Sequence, residues 1–156
     1  DMRFAVRQLV EVAVRALSPG INDPHTAISV LDRLGAALCD MAPLYLPSGV
    51  SLVGARVALV VPHIQYDQLL NTMFHMIRQS AAGNASVLMR QLEVLTQVVS
   101  CERDRERMVS LKHHADLVLG DAERDLSTPG DLADLRRRYN AFVTMMRDGP
   151  LGQFSA

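Results

Sequence analysis

The segment LKHHAD places His113, His114 and Asp116 within about one helical turn of each other. Imidazoles and carboxylates ligate metals and exchange protons near neutral pH, so chemistry is sought here first. The spacing argues against a metal. Adjacent residues on a helix point about 100° apart, and only His113 and Asp116, three apart, share a face. The paired histidines of a zinc helix are missing. His113, His114 and Asp116 are therefore weak metal candidates, better read as a polar helix face, and no metal is expected. His63 and His75 stand alone. His75, among Phe74, Met76 and Ile77, suits a satisfied interior imidazole.

Other charged groups are equally ambiguous. Asp121, Glu123 and Asp125 alternate as in a calcium loop, but Leu126, Ser127 and Thr128 stand in place of its remaining ligands. Arg136, Arg137 and Arg138 come after Asp131 and Asp134, the order the helix dipole favours. They read as a solvated face, with docking to acidic lipid or protein as the other option. No nucleophile elbow, P-loop or GxGxxG is present, so neither a catalytic residue nor a cofactor is assigned. Arg7, Glu11 and Arg15 recur at four-residue intervals and can pair along one side of a helix. If the first two helices pack antiparallel, Asp32 is expected to face Arg7 or Glu11. Such a network fixes register or marks a ligand site or interface.

Between those helices lies ALSPGINDPHTA, residues 16–27. Pro19 stops the first helix, and Gly20 is expected to take a positive φ. Ile21 is expected to drop back into the interhelical groove. Asn22 or Asp23 can accept backbone N–H bonds at the next helix, with Pro24 at its first position. The alternative is a small polar pocket of Asn22, Asp23, His25 and Thr26 at a helix N-terminus. The ligand or interface candidates are thus Arg7, Glu11, Arg15, Asn22, Asp23, His25, Thr26 and Asp32.

The elements that must carry these residues are mostly helices. Apolar periodicity predicts helices over 2–17, 24–41, 67–80, 85–100, 103–119 and from Pro129 to 146. Valine-rich residues 50–61 form one small β-hairpin turning at Gly54-Ala55, bounded by Pro47 and Pro62. The fold class is mainly α, a compact bundle of about six helices. Residues 1–148 form a single domain and 149–156 a loose tail. At 156 residues, 49% hydrophobic and without tryptophan, the chain has enough aliphatic material for one core of packed helices. A net charge of −1 leaves no footprint for nucleic acid and no basic membrane-surface patch. Cys39 and Cys101, isolated in helical text, read as buried hydrophobes in a reducing compartment. No run is long and apolar enough to span a bilayer. With Asp1 first and no leader, the chain reads as a piece of something longer.

FAVRQLVEVAVRALSPGINDPHTAISVLDRLGAAL, residues 4–38, closely resembles the signature of a bacterial family of predicted membrane proteins, domain of unknown function 2254. Its pattern has an arginine and an acidic residue in the first helix, matched by Arg7 and Glu11, where aspartate is usual. Arg15 to Pro19, Asn22 to Pro24, Thr26-Ala27 and Asp32 to Leu34 match the later positions of that pattern. The likeness continues more weakly through residues 66–95 and 111–119. It implies a soluble C-terminal region of a bacterial inner-membrane protein, preceded by transmembrane helices upstream; the isolated cysteines favour the cytoplasmic side. The likeness implies no activity. The expected role is non-catalytic: assembly, gating or regulation of the attached transmembrane helices, with a homo-oligomer as possible partner. A small-ligand or ion sensor near Arg7, Arg15, Asn22 and Asp23 is the alternative, and an enzyme the second.

Overall fold

A computed structural model describes residues 2–44, 50–60 and 65–150 of the chain. Pro47, Pro62, His63 and residues 151–156 of the expected tail lie outside the described residues. Helix α1 (Met2–Ala16) buries Val6, Val10, Ala13 and Ala16, a stripe at three- and four-residue spacing. Helix α2 (Pro24–Met41) starts with proline at its first position, under an Asp23 cap. Strands β1 (Val50–Val53) and β2 (Arg56–Val60) form an antiparallel pair, Val53 opposite Arg56 and Leu52 opposite Val57, with an irregularity between Ser51 and Leu52. Gly54 has φ +60°, which the first central residue of a two-residue hairpin turn needs. Helices α3 (Tyr66–Ser80), α4 (Ala85–Cys101), α5 (Arg105–Asp125) and α6 (Pro129–Asp148) complete the order.

The core is organised around α4. Val87, Leu88, Gln91, Leu92, Val94, Leu95, Val98 and Val99 cover most of its circumference and are all buried, as a helix surrounded by others requires. It packs against α2, α3, α5 and α6, while α1 closes over α2 and α3. Phe74 of α3 and Phe142 of α6 are the largest fully buried side chains. Gly35 lets α2 approach α4 closely: a Cβ there would lie 2.5 Å from Val94 Cγ1.

Several expectations are corrected. The helix expected over 103–119 does not stop there: α5 runs on to Asp125, and Ala122 extends the buried stripe after Leu111, His114, Ala115 and Val118. Cys39 is only half-buried and Cys101 is exposed. Both sit in the final turns of their helices, where coverage by the core ends.

Candidate functional site

The α1–α2 connection is built from local hydrogen bonds. Asn22 N–H donates to Ser18 O at 2.8 Å and Asp23 N–H to Ala16 O at 2.7 Å, drawing the turn back onto the end of α1. The residue that adopts positive φ is Asn22, at 48°, and Gly20 does not. Asparagine tolerates that conformation because its short polar side chain is little strained there. Ile21 does not enter the groove; it is 62% exposed, because the turn points its side chain outward. Asp23 accepts from Thr26 N–H at 3.2 Å and from the Thr26 hydroxyl at 2.6 Å. Those bonds hold its carboxyl below the usual range. His25 is exposed beside them.

The expected ion pairs divide. Arg15 donates to Glu11 at 2.6 Å on the surface of α1. Asp32 faces neither Arg7 nor Glu11. Its partner is Arg90 of α4 at 2.6 Å, because α2 lies along α4 and turns this face away from α1. Arg90 also donates to Glu93 at 2.9 Å, and Arg138 of α6 reaches Glu93 at 2.8 Å. Burial opposes ionisation of Glu93, but the two arginines hold its carboxyl below the usual range. This network ties α2, α4 and α6 together. Arg7, which makes no ion pair among the described residues, instead borders a groove of about 400 Å³ with Val10, Glu11, Val14, Asn71, Thr72 and Met76.

The LKHHAD cluster is split by the helix. Asp116 turns to Lys112 at 2.8 Å and to the Tyr139 hydroxyl at 2.6 Å. His114 is 2% exposed, stacked at a tilt on Phe74, and burial pushes its pKa down to about 4. It is a neutral interior imidazole at pH 7, whereas His113 is exposed. Among the described residues no three His, Cys, Asp or Glu side chains converge as a metal site. The acidic run and the basic run satisfy other partners: Asp121 holds Arg78 and Arg124, Asp125 holds Arg124, and Glu123 holds Arg136.

Two polar clusters escape a reading of the sequence. Arg78 is buried with Asp121 between α3 and α5. Its signal is readable, since Arg78 continues the apolar stripe of Leu70 and Phe74 at four-residue steps. The second cluster lies where the chain enters and leaves the hairpin. Arg107 donates to Ala42 O at 3.4 Å and Leu44 O at 3.0 Å, stacks over the Tyr66 ring and faces the buried Glu102 carboxylate at 3.6 Å. Glu102 in turn accepts from Arg103 N–H and Asp104 N–H. Arg107 thus ties the segment after α2, Ala42–Leu44, to Tyr66 at the start of α3, the described residues that flank the hairpin in the chain. Spacing alone carries no hint of this, because CERDRE reads as an ordinary solvated link.

The hairpin itself is exposed. Leu52, Val53 and Val57 are 60%, 73% and 61% exposed; β1 and β2 pair with each other, and among the described residues neither strand has more than a marginal contact with a helix. Taken together, the molecule is a helical domain with an exposed β-hairpin arm and no cleft of converging catalytic groups among the described residues.

The comparisons agree with the loop motif. The family model of the predicted membrane proteins DUF2254 matches residues 1–97, and the chain belongs to that family. It is also similar to uncharacterised proteins of Mycobacterium tuberculosis and Mycobacterium bovis, 34% identical over 134 residues. That alignment covers 85% of this chain and 26% of the relatives, so the chain spans about a quarter of their length. No solved structure matches. Among the described residues, no helix is long and apolar enough to cross a membrane.

Proposed function

We propose that this region is a non-catalytic assembly domain of a bacterial inner-membrane protein, holding copies together through the β1–β2 arm and so constraining the attached membrane helices. The observation that carries the reading is the exposure of Leu52, Val53 and Val57 on a hairpin against which, among the described residues, no helix packs closely. A lone two-stranded hairpin is marginal in water, and an edge strand such as β1, without charges or proline, invites pairing with another strand. Insertion into lipid is disfavoured, because the outer edges would leave N–H and C=O groups unsatisfied in hydrocarbon. Pairing with the hairpin of a second copy satisfies the β1 edge and covers apolar side chains, and leaves the β2 edges in water, where their backbone groups are solvated. Family membership supports attachment to a membrane portion, and the unpaired Cys39 and Cys101 support a cytoplasmic location.

Light scattering of the chain across a wide concentration range tests this. The wild type is expected to give a dimer or larger species, and the Leu52→Ser/Val57→Ser double variant the monomer mass with an unchanged helical spectrum. A wild type that stays monomeric at every concentration would overturn the reading. A second reading, a small-ligand sensor, is favoured by one observation: the α1–α3 groove has apolar walls and leaves Arg7 without an ion partner among the described residues. Small carboxylates that raise the melting temperature of the wild type but not of Arg7→Ala would support it.

A further inference from the structure

Helices α3 and α5 pack side by side, and a groove of about 370 Å³ opens between them. Among the described residues it is lined by Asp67 and Asn71 of α3 and by Val109, Ser110, His113 and His114 of α5. Asp67 and Asn71 are four apart, and His113 and His114 follow Ser110 by three and four, so each set shares one side of its helix. His114 is the unusual member. At 2% exposed it can line an open groove only from the floor. Phe74 packs on its ring with centroids 5.9 Å apart, and His113 stands nearly edge-on to it at 5.7 Å. Neither contact satisfies a ring nitrogen. Nδ1 is buried and has no hydrogen-bond partner among the described residues, and an interior polar atom left unpaired costs free energy.

The groove is built from acceptors. Burial keeps the His114 imidazole neutral, and a neutral imidazole has one bare nitrogen; with the proton on Nε2, that nitrogen is Nδ1. Ser110 donates its hydroxyl proton to Glu106 O at 3.2 Å, which leaves the Oγ lone pairs to accept. Asp67 accepts from Gln68 N–H on Oδ1 at 2.8 Å and makes no ion pair among the described residues. No described lysine or arginine lines the groove. Val109, 64% exposed, adds an apolar wall. A carboxylate, a hydroxyl oxygen and a bare imidazole nitrogen together match a ligand that donates hydrogen bonds and carries positive charge. A metal ion does not fit, since no three ligating side chains converge among the described residues. A primary ammonium does, with three N–H donors and no acceptor.

We propose that the α3–α5 groove binds a small primary alkylammonium ion, with Asp67 countering its charge, Ser110 Oγ and His114 Nδ1 accepting its N–H bonds, and Val109 covering its carbon chain. The volume lies at the small end of the roughly 300–1,000 Å³ range of ligand sites, which suits a short chain. The inference concerns α3 and α5 alone and stands or falls apart from self-association of the arm.

Titration of the chain with n-butylammonium chloride tests it, followed by nuclear magnetic resonance of the His113 and His114 ring protons and the Val109 methyl groups. Saturable shifts at those residues are expected in the millimolar range, and sodium chloride at matched ionic strength should give none. Sodium butyrate, which brings negative charge, and n-butanol, which brings none, should not saturate there. Asp67→Asn keeps an oxygen for Gln68 N–H, so its helical spectrum should be unchanged while binding weakens about tenfold or more. Asp131→Asn at the start of α6 removes the same charge elsewhere and should leave the affinity as it was. The absence of a saturable shift with butylammonium would overturn the proposal. So would equal binding of butyrate or butanol, wild-type affinity in Asp67→Asn, or an equal loss in both variants.

Discussion

Replacing Gly35 by alanine adds a single methyl group, yet the structure assigns it a definite cost. The new Cβ would lie 2.5 Å from Val94 Cγ1, against the roughly 3.5–4.0 Å of comfortable carbon contact. About 1 Å must therefore be found. Val94 is β-branched and has one strongly preferred rotamer in a helix, so either its side chain must turn against that preference or α2 and α4 separate. Overpacking of this kind costs about 1–3 kcal/mol, while alanine returns up to about 1 kcal/mol in helix propensity. The expected net is a loss of about 1–2 kcal/mol. Gly120 supplies the control, being within α5 with nothing inside 4 Å of a built Cβ; Gly120→Ala should gain about 0.5–1 kcal/mol. Urea unfolding measures both as midpoint shifts of opposite sign. Adding Val94→Ala should damage the Gly35→Ala protein less than the wild type, because it removes the clash. Two alanine variants equally more stable than the wild type would refute the close α2–α4 approach.

Acidification should weaken the fold through His114. Its folded pKa of about 4 lies below the ordinary 6.5, so the unfolded chain binds more protons between those values. Stability therefore falls as pH drops from 6.5 to 4, by up to about 3 kcal/mol from this residue. The difference in pH slope between the wild type and His114→Leu, read by urea titration, should fall in that window. Arg78→Ala would strand Asp121 with only its exposed Arg124 partner; a loss near 3 kcal/mol is expected on thermal or urea unfolding, in the range for broken buried pairs. In the α1–α2 turn, Asp23→Ala should cost about 1 kcal/mol as a lost cap. Asn22→Gly should be neutral or stabilising, because it relieves the positive φ. Equal losses from both, in the same unfolding assay, would contradict a purely conformational role for the loop.

Local rules make much of this legible in the sequence. Pro24 after an Asx residue marks the start of α2, and Gly54-Ala55 between valine runs marks the hairpin turn. Errors arise where two local signals compete or where a partner is distant. Gly120 carries a stop signal, but the buried stripe through Val118 and Ala122 outweighs its propensity cost. Asn22 and Gly20 can both accept a positive φ, and only the bond from Asp23 N–H to Ala16 O decides between them. Asp32 is expected against α1 because α1 is its neighbour in sequence. Its actual partner Arg90 depends on the bundle order, which periodicity does not encode. The Arg107 cluster is hidden for the same reason. The hairpin is legible as an element, but the exposure of Leu52, Val53 and Val57 is a tertiary fact.

Whether the arm joins copies is best decided by cross-linking at the arm itself. Val57→Cys is placed in the full-length membrane protein lacking Cys39, Cys101 and any other cysteine, and mild oxidation is applied in native membranes. Val109→Cys, equally exposed on α5, is the control for random collision. If the arm joins copies, Val57→Cys should yield a covalent dimer rapidly and Val109→Cys should not. Equal, slow cross-linking at both positions would contradict self-association through the arm.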